Sequence, residues 1–194
     1  PPVEDFLAWV RSCAAIPTMT WLDGASKGEG HPLALLKCVR SKGAAAVNVI
    51  PDRNWNYQDP AVKALKISKL QQFVATAEAL DLPINVGTEM NKDGLPVIDD
   101  LNGPALKPYR QVFLKGARVF AGHSLLARFA DFPFCGAASE KEFADDRSAQ
   151  VRFFASVGAL PPLDEIRAKR LEDQGPEKAL QVIRDSATKA SWLI

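Results

Sequence analysis

Four polar clusters stand where short apolar runs end: Trp21-Leu22-Asp23-Gly24, Pro51-Asp52-Arg53-Asn54, Gly87-Thr88-Glu89-Met90-Asn91 and Gly122-His123-Ser124. Carboxylates, an imidazole, a guanidinium and side-chain amides can hold a divalent cation, move a proton or bind a hydroxyl-rich molecule. Glu89 is the sharpest of them. Glutamate is a poor turn residue, so capping explains its place badly, and a metal-ligand or general-base role fits better. The structural alternative is a salt bridge to a base such as Arg53. Asp23 is a second candidate metal ligand, with a turn before Gly24 as its alternative. Asp52 and Arg53 are candidate catalytic residues, and Asn54 and Asn91 candidate substrate contacts. His123, one of two histidines, is expected both to ligate metal and to transfer a proton. His31 precedes Pro32 and reads as a loop or N-cap residue.

The elements that must position these groups follow from hydrophobic period and punctuation. Helical spacing marks 3–14, 32–41, 60–80 and 105–115, and short apolar runs mark strands at 16–22, 44–50, 84–88 and 117–121. Asp59-Pro60 is a helix start, and Lys42-Gly43 and Lys115-Gly116 read as helix stops. Strands alternating with amphipathic helices indicate parallel pairing with right-handed crossovers. From 139–158 and 163–189 the pattern is helical without strands. The expected class is α/β, with parallel (β/α) units forming part of a TIM-like barrel over 1–138 and a helical C-terminal extension over 139–194. Chemistry in such folds sits at the carboxyl ends of the strands, which is where the four clusters fall.

Composition narrows the partners. The 194 residues carry 24 basic and 23 acidic side chains, so no basic excess points to nucleic acid. The three cysteines are far apart and none is in a CxxC pair, which suits reduced thiols and a cytoplasmic setting. No apolar run approaches the ~20 residues that span a bilayer, so no membrane partner is expected. Ser26-Lys27-Gly28-Glu29-Gly30 lacks Walker A spacing, and no GxGxxG, GxSxG or HExxH occurs.

The strand ends resemble metal-dependent hydrolases of the PHP (polymerase and histidinol phosphatase) and amidohydrolase-like barrel type, where a strand closes on Gly-x-Glu. Gly87-Thr88-Glu89 matches that motif. The resemblance implies a divalent metal (Zn, Mn or Mg) held by Glu89, His123 and Asp23, and a metal-activated water attacking a phosphoester or C–N bond of a small-molecule substrate. The family's His-x-His, Thr-Asp-His and Asp-x-His are not in this sequence. The resemblance therefore implies a C-terminal half, completed by a missing N-terminal segment or by a homo-oligomer. Two alternatives remain open: a divalent-metal sugar isomerase or lyase, and a non-catalytic carbohydrate-binding half-domain whose carboxylates pair with Arg53 and nearby lysines.

Overall fold

The computed structural model of the chain describes residues 1–89, 93, 97–144 and 146–194. Their contacts divide them into two units, one of Pro1–Ala8 with Pro17–Leu114, the other of Trp9–Ile16 with Lys115–Ile194. Helix α1 (Val3–Ser12) contributes to both.

The first unit alternates strand and helix: β1 (Thr18–Trp21), α2 (Pro32–Ser41), β2 (Ala46–Val49), the single turn α3 (Asp52–Trp55), α4 (Pro60–Ala79) and β3 (Ile84–Val86). A 3-10 turn follows at Lys107–Tyr109. The strands are parallel in the order β1-β2-β3, with Thr20 opposite Asn48 and Asn48 opposite Asn85. Helix α4 starts where its signals put it: the Asp59 carboxylate accepts the backbone N–H groups of Ala61 and Val62 at 2.8 and 3.2 Å, with Pro60 in the first turn. Gly43 follows α2 at φ +112°, a backbone that glycine adopts without a Cβ penalty.

Strand alternation gives the sheet two unlike faces. Val47, Ile84, Trp21 and Val49 join Leu36 of α2 and Leu70, Phe73 and Val74 of α4 in a buried core. Trp21 stacks on Phe73 with ring centroids 4.4 Å apart, a contact worth about 0.5–1.5 kcal/mol beyond the area it buries. The intervening positions are polar: Thr20 is exposed, and Asn48 and Asn85 are half-buried.

The second unit is helical: α5 (Arg110–Ala130, mostly here), α6 (Ala137–Phe143), α7 (Arg147–Val157), α8 (Glu165–Gln174) and α9 (Pro176–Lys189). Its core includes Phe132, Phe134, Phe154, Leu171 and Ile183, with Phe134 edge-on to Phe154 at 5.0 Å.

Two expectations are corrected. The sheet of the described residues has three short strands and does not close, so the barrel expectation fails; most of the chain is helical. The expected fourth strand at 117–121 lies inside α5. Its apolar residues fit a helix as well as a strand, and Gly116, read as a stop, is a buried position within that helix. Gly122 and Gly158 show what glycine does there. A Cβ on Gly122 would lie 2.0 Å from the Phe154 carbonyl oxygen, and one on Gly158 would lie 1.8 Å from that of Arg118. The two glycines let α5 and the end of α7 touch backbone to backbone.

Candidate functional site at the strand ends of the first unit

β1, β2 and β3 deliver Asp23, Asp52-Arg53-Asn54 and Glu89 to the carboxyl end of the sheet. The centre is a two-pronged pair: Arg53 Nε donates to Glu89 Oε2 at 2.8 Å and Arg53 Nη2 to Glu89 Oε1 at 2.6 Å. The side chains keep 38% and 26% of their exposure. A pair so open to water is worth only about 0.2–1 kcal/mol, so stability alone gives little reason for it. The Glu89 bond, opposed by burial and helped by the charges of Glu89 and Asp23, holds the guanidinium above its ordinary pKa.

Asp23 belongs to the same charge group. Burial raises its carboxyl, but the Lys66 ammonium at 2.6 Å, the Ala25 N–H at 2.8 Å and the Arg53 charge together bring it below the usual value. The turn that carries it is fixed from both sides. Gly24 sits at φ +73°, where a Cβ would lie 2.9 Å from the Lys69 side chain, and Lys69 Nζ donates to the Gly24 carbonyl at 2.8 Å. Asp23 thus fulfils its turn alternative and also makes an ion pair.

Asp52 accepts from the Asn56 side-chain amide at 2.9 Å, a contact across its own turn. Helix α3 is anchored by a residue far from it in sequence. Asp99 is buried, accepts the Trp55 indole N–H at 2.6 Å and takes a hydrogen bond from the Asp52 backbone. Burial, with the Asp52 charge, raises its carboxyl above the ordinary range despite those two donors. Asp99 therefore fixes the turn that presents Arg53. Asn54 is fully buried in that turn, and its side-chain oxygen and nitrogen find no hydrogen-bond partner. An orphaned buried amide costs about 1–3 kcal/mol. Asn91 lies outside the described residues.

The polar row on the sheet was not among the expected site residues. Asn85 Nδ2 donates to Asn48 Oδ1 at 2.8 Å, and Asn48 Nδ2 approaches Thr20 Oγ1 at 3.5 Å. Gly87 extends the ladder through its N–H to the Val49 carbonyl, and its bare Cα lets the Asn48 amide lie where a Cβ would be 3.0 Å away. The signal was present: asparagine is depleted in strands, yet Asn48 and Asn85 sit inside apolar runs.

His123 does not stand at a strand end. It lies in the middle of α5 in the second unit, where Nδ1 accepts the Phe134 N–H at 3.0 Å and the ring hydrogen-bonds the Ala14 backbone. Burial depresses its pKa, partly offset by the Ala14 bond.

No family model matches this chain, and no curated protein or solved structure matches it significantly. The metal implied by the resemblance is judged on the donors alone. Both Glu89 oxygens are held by Arg53, Asp23 is paired with Lys66, and His123 is engaged within the second unit. Among the described residues no group of three His, Cys, Asp or Glu side chains is arranged to hold a metal ion. The described donor set does not fit the implied metal.

Proposed function

We propose that the strand-end rim of the first unit binds a small hydroxyl-rich molecule of carbohydrate type through direct hydrogen bonds. The observation that supports this most is the partly exposed, two-pronged Arg53–Glu89 pair at the end of the strands that carry the Thr20–Asn48–Asn85 row. Vicinal hydroxyls donate and accept at once, and they match planar side chains that offer paired donors and paired acceptors. The rim has both: the guanidinium fork, a carboxylate and two amides. Glu89 and Asp23 are each neutralised by a partner, Arg53 and Lys66, which suits a neutral ligand better than a strongly charged one. Exchanging an exposed ion pair for ligand hydroxyls costs the fold little.

A metal-dependent hydrolase is the second reading. It requires Glu89 and Asp23, from the ends of β3 and β1, to leave Arg53 and Lys66 and turn to a cation instead.

Calorimetric titration of the full chain with a panel of monosaccharides and sugar alcohols, in chelator, tests the first reading. At least one is expected to bind saturably, and Glu89→Gln is expected to weaken it about tenfold or more, the loss of one charge-assisted hydrogen bond. Binding by none of them, together with tight uptake of Zn or Mn once chelator is removed, would favour the second reading instead.

A further inference from the structure

A second feature lies beside Trp55, the last residue of α3. A cavity of about 430 Å³ opens between Trp55, α4 and the segment around Gly103–Leu106. That volume lies within the range of roughly 300–1,000 Å³ typical of small-molecule pockets. Its walls are largely apolar, with Ile67, Pro104 and Leu106 among them and the Trp55 ring as a flat side. The ring is held in place by its indole N–H bond to the buried Asp99, at 2.6 Å.

Two charged side chains line the cavity, Lys63 and Asp100. Neither makes an ion pair among the described residues, but the two differ in what else holds them. Asp100 closes its own turn, its Oδ1 accepting the Asn102 N–H at 2.9 Å. Lys63 makes no ion pair among the described residues; its Nζ lies 5.8 Å from the Trp55 ring centroid, over the ring face. A cation held by a π-face alone beside an apolar wall is a poorly compensated charge, and a carboxylate is its natural counter-ion.

We infer that this pocket binds a small aromatic carboxylate, its ring against Trp55 and the wall of Ile67, Pro104 and Leu106, its carboxylate on Lys63. The pocket is largely pre-formed, because the Asp99 bond fixes Trp55 before any ligand arrives. Ligand selectivity rests on the acid group: the uncharged amide of the same shape loses the ion pair, and the corresponding amine meets Lys63 as a like charge.

The test is an NMR titration of the isotope-labelled full chain, observing the Trp55 indole N–H, which is assigned by its disappearance in Trp55→Phe. The probes are phenylacetate, phenylacetamide and phenethylamine. Phenylacetate is expected to shift that resonance saturably and the other two to bind about tenfold more weakly or worse, as loss of a charge-assisted contact requires. Lys63→Met is expected to reduce phenylacetate binding by a similar factor. Equal affinity for acid and amide, preference for the amine, or no saturable shift with phenylacetate would each overturn the inference. The comparison of probes on the unaltered chain decides the matter even if the Lys63 variant folds poorly.

Discussion

Asn54 shows most clearly how a single side chain separates folding from function. It is fully buried with both polar atoms unpartnered, and it neighbours the Arg53 that faces Glu89. Asn54→Leu is therefore expected to raise stability by about 1 kcal/mol, since an apolar residue of similar size removes the desolvation cost of the amide. A denaturant melt checks this; a loss of stability would show that the amide is satisfied in solution. His123 makes the opposite case. Its folded pKa is depressed by burial below the ordinary 6.5, so the unfolded chain binds the proton more readily. Its contribution to stability is present above that ordinary value and is lost as pH falls below it. The melting temperature of the chain should drop between about pH 7 and pH 5, and His123→Gln should flatten that part of the curve. An unchanged slope in the variant would assign the effect elsewhere. At this scale the sequence was informative about Glu89 and Arg53, whose pairing was one of the alternatives it offered. It was less so about Asp99 and Lys66, because nothing local marks a carboxylate that caps a turn 47 residues away in sequence or a lysine that folds back on a distant loop.

Among the elements, the first three strands and the helices α2 and α4 between them were legible, because capping and period agreed: Asp59-Pro60 opens α4 and Gly43 closes α2. The single turn α3 was not. The misreading at 117–121 has a physical cause. A short apolar run is compatible with a buried strand or with one stripe of a helix, and only longer-range periodicity separates them. In α5 the buried positions Phe113, Gly116, Val119, Gly122, Leu126 and Phe129 recur every three or four residues, and glycine at two of them disguised the stripe. The close approach at Gly122 gives a sharp test. Gly122→Ala should destabilise the chain by about 3 kcal/mol or more, at the upper end of overpacking costs, because a Cβ there meets backbone rather than a side chain that can move. Gly28→Ala, with open space around it, should change stability by less than about 0.5 kcal/mol. Thermal melts of the two variants that came out alike would contradict the packing described for α5 and α7.

For the molecule as a whole, the near cancellation of charge and the described helices, none long and apolar enough to cross a membrane, say little about what is bound. The information lies in the strand-end rim of the first unit. Its row of amides was missed because each asparagine looks like an isolated polar residue until the parallel register sets Asn48 between Thr20 and Asn85. The decisive observation is the behaviour of those side-chain amides. In chelator-treated, isotope-labelled full chain, titration with the tightest-binding sugar of the calorimetric panel should move the Asn48 and Asn85 side-chain amide and Arg53 Nε–H resonances together, along one saturation curve. Amide and guanidinium resonances that stay still while the sugar binds elsewhere, or that respond only when a divalent metal is restored, would contradict the account.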